Sequence, residues 1–245
     1  MNFAIIAAGE GSRLAQEGVM LPKPLVEIDH QPMISRLLEI FARCGAKRIV
    51  VCVNEFMPEV KEYLADYQFE SVDAGHAPEL ILKVKTTPSS MHTMAEIAEE
   101  MEGHGRWIAT TVDTIFHESD FRRYVEAWES APESTDVMMA VTGFVDDEKP
   151  LWVVADAEDM RIEAFLDECP EDARYISGGI YGLSDAAIGV LRRCMAQDVS
   201  RMRNYQRRLV SEGLDVRAFP MGKIIDVDHA ADIETACEFL REGNE

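Results

Sequence analysis

The sequence predicts an α/β fold in which a mixed, mostly parallel sheet is flanked by helices. Short apolar runs alternate with helical patterns through the first half of the chain. The first apolar run ends at a glycine-rich turn, and the fourth ends at Asp113. Alternation of this kind is typical of parallel sheets, whose ligands bind beyond the carboxyl ends of the strands. We therefore expect a functional site near the glycine turn and Asp113.

In the first half, apolar runs predict strands at residues 3–8, 48–53, 80–84 and 107–112. Helices are predicted at residues 33–44, 58–65 and 93–101. In the first of these helices, apolar residues recur at helical spacing, and Gly45 follows where a left-handed cap would lie. The repeated order of strand and helix supports a parallel sheet.

The pattern changes beyond Ser134 to an α+β arrangement. Strands are predicted at residues 137–144, 151–155, 161–166, 175–183 and 216–220, and helices at 185–195, 201–211 and 231–241. No internal repeat and no Pro/Gly-rich linker marks a domain boundary. The sequence therefore predicts a single domain over residues 1–245.

Composition and charge exclude several classes of protein. The 245 residues are 47% hydrophobic and 28% charged, which is ordinary for a folded domain. The formal net charge of −21 disfavours a nucleic-acid partner, because such partners are bound mainly by lysine and arginine. No apolar run reaches the ~18 residues of a membrane span, and no cationic segment precedes the first strand. We expect a cytoplasmic protein with five reduced cysteines and no membrane partner.

The sharpest motif is Ala7-Ala8-Gly9-Glu10-Gly11-Ser12-Arg13-Leu14, which is followed by Leu21-Pro22-Lys23-Pro24-Leu25. Glycines in such a turn let backbone N–H groups approach phosphate oxygens closely. The turn completes neither the dinucleotide fingerprint, because Leu14 replaces the third glycine, nor a P-loop. The two cations, Arg13 and Lys23, would suit a triphosphate. The alternative is a tight strand-to-helix turn and a loop with a surface lysine.

Segments 7–14 and 22–25 together resemble the signature of the nucleotidyltransferases that make nucleotide sugars and related activated alcohols. The resemblance extends over nearly the whole chain and implies a single-domain, Rossmann-like nucleotide-diphospho-sugar transferase fold. It also implies that Asp113 and Asp226 hold a catalytic Mg²⁺. The stretch Ser177-Gly178-Gly179-Ile180-Tyr181 resembles the family's Asn-x-Gly-Ile-Tyr strand, which borders the acceptor pocket.

Elementary chemistry supports a cation at these carboxylates. Asp113 ends an apolar run, where an unpaired buried carboxylate would be costly, so it should face a cleft or a cation. Two carboxylates ~4 Å apart repel by roughly 4 kcal/mol, which a divalent ion would reverse, and hard oxygen ligands favour Mg²⁺. The alternatives are local caps: Asp113 on the next turn, and Asp226 at the start of the last helix.

The resemblance implies a reaction in which a phosphate monoester attacks the α-phosphorus of a nucleoside triphosphate and releases pyrophosphate. Arg13 and the backbone amides of Gly11 and Ser12 would hold the β- and γ-phosphates, and Lys23 would stabilise charge at the α-phosphate. No strong base is required, because a phosphate monoester is mostly dianionic at pH 7. Residues 1–133 would bind the nucleotide and 134–245 the acceptor. The predicted nucleotide-binding positions are Ala7, Ala8, Gly9, Gly11, Ser12, Ser90 and Gly179.

Two stretches depart from the family pattern. The loop expected to contact the nucleotide base holds Thr87-Pro88-Ser89-Ser90-Met91-His92-Thr93, so the identity of the base is left open. Ser89 or Ser90 would contact the nucleotide or simply cap the following helix. Asp167-Glu168-Cys169-Pro170 stands where sugar-nucleotide enzymes often carry a Glu-Lys pair. The acceptor is therefore a sugar 1-phosphate, phosphocholine or another small phosphorylated alcohol.

Two other classes of function remain open. A glycosyltransferase of the same fold would be expected to show an Asp-x-Asp after a strand rather than the Lys23 loop. A regulatory relative would bind nucleotide without turnover. A cluster of six arginines also has two interpretations, attraction of an anionic substrate or helix faces paired with the surplus acids. The six are Arg192, Arg193, Arg201, Arg203, Arg207 and Arg208.

Overall fold

The computed structural model describes residues 1–73, 78–146, 148–171 and 173–242. The strands are β1 (Asn2–Ala7), β2 (Glu27–Ile28), β3 (Gln31–Pro32), β4 (Arg48–Val53), β5 (Glu79–Val84), β6 (Trp107–Thr111), β7 (Thr114–Ile115), β8 (Val137–Thr142), β9 (Trp152–Ala155), β10 (Ile162–Leu166), β11 (Tyr175–Leu183), β12 (Val216–Pro220) and β13 (Ile225–Asp226). The helices are α1 (Ser12–Gln16), α2 (Met33–Arg43), α3 (Pro58–Asp73), α4 (Ser90–Met101), α5 (Glu118–Ser130), α6 (Asp185–Ala196), α7 (Met202–Ser211) and α8 (Ala230–Glu242).

Within these ranges, nine strands form one central sheet. Seven of its strands lie in the order β10-β9-β11-β6-β1-β4-β5, while β8 pairs with β11 and β12 pairs with β8. All strands run in one direction except β10 and β11, which run opposite to their neighbours. The predicted mixed, mostly parallel sheet is confirmed. Strands from both predicted halves hydrogen-bond to one another, because β11 pairs with β6.

Side chains alternate between two cores, one on each face of the sheet. On β1, Ala4 and Ile6 face a core built with α4, α6 and α7, while Phe3, Ile5 and Ala7 face a core built with α2, α3 and α5. A strand covered on both faces needs apolar residues at every position, which is why β1 and β4 are continuous apolar runs. The helices therefore cover both faces and leave the strand ends for ligands.

The carboxyl ends of the central strands carry the polar residues. Gly9 follows β1 and Asp113 follows β6, and these two strands are parallel neighbours. The short ladder between β7 and β13 places Asp226 opposite Thr114, and the Val227 N–H donates to the Asp113 carbonyl at 3.0 Å. Backbone pairing thus brings a carboxylate from the end of the chain beside one from its middle.

Several elements differ from the sequence expectations. Residues 118–130, to which the pattern assigned no element, form α5, whose buried residues are largely aromatic or β-branched: Phe121, Tyr124, Val125 and Trp128. Such residues are weak helix formers, so packing on the sheet stabilises this helix more than propensity does. The helix predicted at 58–65 continues to Asp73, and the one predicted at 93–101 begins at Ser90. The two-residue strands β2, β3, β7 and β13 and the short α1 were also missed.

All five cysteines are free thiols. Across the described ranges, none of the helices combines the length and apolarity that crossing a membrane would require.

The close contact between β11 and α5 gives a stability test at Gly182. A Cβ on Gly182 would lie 2.9 Å from a ring carbon of Trp128, which is fully buried. We expect Gly182→Ala to lower the free energy of unfolding by about 1–3 kcal/mol, because the buried Trp128 ring has little room to move away from the added methyl group. A Cβ on Gly189, inside α6, would lie 3.5 Å from Arg193 Nη1, which is an ordinary contact. Because alanine favours a helix more than glycine does, Gly189→Ala should raise the free energy of unfolding by roughly 0.5–1 kcal/mol. Urea denaturation of both variants measures this, and an unchanged midpoint for Gly182→Ala would contradict it.

Candidate active site

The glycine-rich turn leaves β1 and exposes bare backbone to a cleft. Gly11 has φ +62° and precedes α1. A Cβ there would lie 2.9 Å from the Cβ of Lys23, so both the left-handed backbone and the close approach of Lys23 require glycine. Gly9 has no heavy atom within 4 Å of its Cβ position, so space is open above it. The turn therefore offers main-chain groups to a ligand without side chains in the way.

The cleft beside this turn is a cavity of about 690 Å³. Its size lies within the range of small-molecule sites. Its lining contains most of the positions predicted from the sequence, namely Ala7, Ala8, Gly9, Gly11, Ser12, Arg13, Lys23, Ser90 and Asp113. We call this space the first cavity. It is bounded by the glycine turn on one side and by the loop 86–90 on the other.

Lys23 stands at the centre of the site. It opens a short 3₁₀ helix (Lys23–Leu25) after Pro22, and its side chain is only 11% exposed. Its ammonium pairs with Asp113 Oδ2 and with Asp228 Oδ1, the second at 2.7 Å. Burial by itself lowers the pKa of Lys23, but the Asp113 and Asp228 carboxylates outweigh burial and raise it above the ordinary value. The lysine is therefore held as a cation.

Asp228 bridges the two predicted phosphate-binding cations. Its Oδ1 accepts from Lys23, and its Oδ2 lies 2.8 Å from Arg13 Nη1. Burial opposes ionisation of Asp228, but Lys23 and then Arg13 lower the pKa of its carboxyl. Sequence reasoning did not give Asp228 a role, although it is the second aspartate of the Asp226-Val227-Asp228 pattern. The Asp228 carboxylate is thus the counterion of Arg13 and Lys23, the two cations that were predicted to bind phosphates.

Asp226 completes the group of carboxylates. Thr114 Oγ1 donates to Asp226 Oδ1 at 3.2 Å. Solvent reaches the Asp226 side chain from the cleft, yet protein atoms surround it closely. This surrounding protein, and then the charges of Asp113 and Asp228, raise the pKa of Asp226 well above that of an ordinary aspartate. Burial and neighbouring negative charge thus oppose ionisation of Asp226, and a bound cation would favour its charged form.

The chemistry of these oxygens fits Mg²⁺. Magnesium is usually held by one or two carboxylates together with substrate phosphates, rather than by a complete cage of protein ligands. Asp113 and Asp226 are adjacent through the β7–β13 ladder and supply two such carboxylates. Among the described side chains, no group of three or more His, Cys, Asp or Glu residues forms a metal cage. The arrangement suits a metal that arrives with its nucleotide.

A second cavity of about 350 Å³ opens on the other side of the carboxylates. Both cavities are lined by Ser89, Ser90, Thr111, Asp113 and Asp228. The second cavity adds residues from the segment before β9, from β11 and β13, and from the start and body of α7. They are Lys149, Leu151, Ser177, Gly179, Tyr181, Arg201, Met202, Arg203, Gln206 and Asp226. The carboxylates thus lie where two cavities meet, one formed mainly by the first half of the chain and the other mainly by the second.

Gly179 lies in this second cavity and not in the first. It has φ +74°, and a Cβ there would come within 2.7 Å of Thr114 Oγ1 and 3.1 Å of Thr111 Oγ1. Any side chain would push against the loop that presents Asp113. Gly179 therefore supports the site by its close approach, on the side away from the glycine turn.

The arginine cluster divides into paired residues and one exception. Arg192 pairs with Glu102, Arg193 with Glu212, and Arg203 and Arg207 with Asp167, as expected for solvated helix faces. Arg208 bonds Gln197. Within the described ranges, the exposed Arg201 guanidinium forms no ion pair and no hydrogen bond, and it lines the second cavity. Its backbone has φ +72° and ψ 136°, a conformation that L-residues rarely adopt.

Two contacts at the rim were not foreseen from the sequence. His229 Nδ1 lies 2.6 Å from Glu17 Oε1, and the Ala230 N–H donates to Glu17 Oε2 at 2.7 Å. Glu17 raises the pKa of His229. These contacts tie the end of α1 to the start of α8. In the loop 86–90, Ser89 precedes α4 as its cap residue, but its hydroxyl bonds His92 Nδ1 at 2.8 Å instead of a helix N–H.

Comparison with known proteins identifies the family of this chain. The model of the MobA-like NTP transferase domain family matches residues 3–176, and the chain belongs to that family. Mannose-1-phosphate guanyltransferase of Pichia angusta is 30% identical over 165 residues, which cover 54% of this chain and 45% of the relative. Glucose-1-phosphate cytidylyltransferase of Salmonella typhimurium is 34% identical over 67 residues, 27% of this chain and 26% of the relative. The chain thus spans between a quarter and a half of these relatives.

Solved structures share the fold over almost the entire chain. The inositol-1-phosphate CTP transferase from T. maritima has a TM-score of 0.76 at 16% identity and covers 99% of this chain and 96% of its own. A putative glucose-1-phosphate thymidylyltransferase from Bacillus anthracis, crystallised with sucrose, has a TM-score of 0.81 at 18% identity, with the same coverage. The predicted fold is confirmed by these structures, and the predicted family is confirmed by the family model.

The two glycines of the turn give a matched stability test. Gly11→Ala forces a side chain into a left-handed backbone and against Lys23, so we expect it to lower the free energy of unfolding by about 1–3 kcal/mol. Gly9→Ala meets open space and ordinary backbone angles, so it should leave the free energy of unfolding nearly unchanged. Chemical denaturation compares the two, and equal effects of both substitutions would contradict the geometry of the turn.

Proposed function

We propose that this protein transfers a nucleotidyl group from a nucleoside triphosphate to a small phosphorylated acceptor and releases pyrophosphate, with Mg²⁺ as its cofactor. The observation that carries the proposal is the position of Asp113, which lines both cavities, with Lys23 beside it in the first cavity and Asp226 in the second. A group-transfer enzyme has to hold its donor and acceptor on opposite sides of the reacting phosphorus. Two cavities that share a charged floor provide this arrangement.

The first cavity would hold the triphosphate. The amides of Gly11 and Ser12 and the Arg13 guanidinium would bind the β- and γ-phosphates, and the Lys23 ammonium would lie at the α-phosphate. Asp228 neutralises both cations in the nucleotide-free protein. Phosphate oxygens would replace its carboxylate as their counterion. The polar loop 86–90 forms the remaining wall, where the base would lie.

Asp113 and Asp226 would hold Mg²⁺, which would neutralise negative charge on the phosphates. No side chain has to act as a strong base, because the acceptor phosphate is already mostly dianionic at pH 7. The protein would align the two phosphates and stabilise the negative charge that develops in the transition state. This accounts for a site made of cations, carboxylates and backbone donors. Lys23 is the group best placed to stabilise negative charge at the reacting phosphorus.

Two other classes remain as alternatives. A glycosyltransferase would use a nucleotide sugar, and a regulatory relative would bind nucleotide without turnover. The Arg13 and Lys23 pair next to open backbone at Gly9 favours a triphosphate over a nucleotide sugar, because two cations match its larger charge. The second cavity, with its own cationic side chains, favours turnover over simple binding.

Pyrophosphate release tests the proposal directly. The purified protein should release pyrophosphate with one of CTP, UTP, GTP, dTTP or ATP, in the presence of Mg²⁺ and a suitable hexose 1-phosphate, inositol 1-phosphate or phosphocholine. Lys23→Met should lower kcat about 10²–10³-fold, by analogy with loss of one donor at a reacting centre. Lys61→Met, which alters an exposed lysine on α3, is the matched control and should leave kcat unchanged.

Each negative result has a distinct meaning. Turnover of a nucleotide sugar without any use of triphosphate would replace the proposal with glycosyl transfer. Mg²⁺-dependent binding of a triphosphate without turnover of any acceptor would favour the regulatory alternative.

Arg201 gives a prediction with effects of opposite sign. Glycine relieves the strain of φ +72°, so Arg201→Gly should raise the free energy of unfolding by up to about 1 kcal/mol. The same change removes a positive charge from the lining of the second cavity, where the Arg201 guanidinium has no ionic partner in the described chain. The KM for the acceptor should therefore rise about 10-fold or more. Thermal unfolding and acceptor titrations measure the two effects. Arg201→Lys keeps the charge and the strain, so it should leave stability near that of the wild type and lose less affinity.

A further inference from the structure

We propose that Gln206 recognises a hydroxyl group of the acceptor, so that the second cavity is built for a hydroxyl-rich phosphate ester, such as a sugar or polyol phosphate, and not for a quaternary ammonium ester. The inference rests on the proposed function for the identity of the second cavity. It adds a specificity residue and selects between acceptor classes that the sequence left open.

The carboxamide of Gln206 is buried yet incompletely bonded. The residue lies on α7 and is 2% exposed. Its Nε2 donates to Ser177 Oγ on β11 at 3.0 Å. The Gln206 amide also comes within hydrogen-bonding reach of the Tyr181 phenol, and this contact lowers the pKa of that phenol although burial raises it more. No donor in the described chain meets Gln206 Oε1 with hydrogen-bonding geometry. A buried carbonyl oxygen without a donor is costly, so such an atom points to a ligand that supplies one.

The position of this atom is consistent with an acceptor site. Gln206 lines the second cavity together with Ser177, Tyr181 and the proposed metal ligands Asp113 and Asp226. An acceptor that places its phosphate at the carboxylates and their cation would therefore extend its alcohol portion towards α7. Gln206 lies on the wall that this portion would contact.

A hydroxyl group is the ligand group that satisfies Gln206. It donates to Oε1 as the amide is oriented here, and it accepts from Nε2 if the amide is turned over, so the argument does not depend on that orientation. A trimethylammonium group has no N–H or O–H and leaves the carboxamide unpaired in either orientation. Sites for quaternary ammonium groups are typically aromatic cages. Among the described lining residues of this cavity, Tyr181 is the only aromatic, so they form no such cage.

Direct binding measurements test this inference separately from turnover. Glucose 1-phosphate, mannose 1-phosphate, inositol 1-phosphate and phosphocholine would be titrated into the wild-type protein with Mg²⁺ by calorimetry. We expect at least one hydroxyl-rich phosphate to bind, and phosphocholine to bind more weakly. For the ester that binds, one monodeoxy analogue should lose about 10–100-fold in affinity, because it leaves Gln206 unpaired. Tighter binding of phosphocholine, or no binding by any of the sugar and inositol phosphates, would overturn the inference.

Substitution of Gln206, combined with the deoxy analogue, forms a double-mutant cycle between the residue and the ligand hydroxyl. Gln206→Leu should weaken the hydroxylated ester by a similar factor, and the critical deoxy analogue should lose no further affinity in the variant. Gln206→Met, of similar volume, repeats the measurement if leucine disturbs folding, and thermal unfolding checks both. Gln197→Leu, at an exposed glutamine after α6 and outside the second cavity, is the matched control and should leave acceptor affinity unchanged. Equal losses for the deoxy analogue in wild type and variant would assign the hydroxyl to another residue and overturn the inference.

The two proposals fail differently. Gln206-dependent binding of a sugar phosphate without pyrophosphate release would leave this inference standing and remove the proposed activity. Pyrophosphate release with an acceptor whose binding ignores Gln206 would do the reverse.

Discussion

The ammonium of Lys23 is the interaction on which the rest of the site depends. It pairs Asp113, which follows the central strand β6, with Asp228, which lies more than a hundred residues later. Without this cation, three carboxylates would share one cleft and repel one another. Gly11 is required because only a residue without a side chain lets Lys23 approach the turn this closely. One positive charge therefore links the glycine turn, the centre of the sheet and the last segment of the chain.

The sheet explains how such distant residues meet. β1 and β6 are parallel neighbours, so Gly9 and Asp113 emerge at the same edge, and β13 adds Asp226 by pairing with β7. β11 runs antiparallel beside β6 and carries Ser177, Gly179 and Tyr181 to the opposite side of the carboxylates. The two cavities thus share a floor because their walls belong to adjacent strands. Under the proposed function, Mg²⁺ held at Asp113 and Asp226 would offset the repulsion between their carboxylates, and the phosphates of the nucleotide would replace Asp228 as the counterion of Arg13 and Lys23.

Local pattern was sufficient for the parts of the molecule that are fixed locally. The strand at 48–53 is apolar throughout because both of its faces are covered, and its predicted limits match those of β4. The glycine turn, Lys23 and Asp113 line one cavity because turn chemistry and strand ends are readable from sequence. Contacts between distant segments are not readable in this way. The Glu17–His229 contact, the pairing of Asp228 with both cations and the buried carboxamide of Gln206 depend on register and packing, which no short stretch of sequence encodes.

The most direct test of the account is nucleotide binding measured with and without Mg²⁺. Each of CTP, UTP, GTP, dTTP and ATP would be titrated into the wild-type protein and into Lys23→Met and Asp113→Ala. If the account is correct, one triphosphate binds tightly with Mg²⁺, Lys23→Met weakens that binding at least tenfold, and Asp113→Ala removes its dependence on Mg²⁺. Binding that ignores both substitutions, or no binding of any triphosphate, would contradict the placement of the phosphates at Lys23.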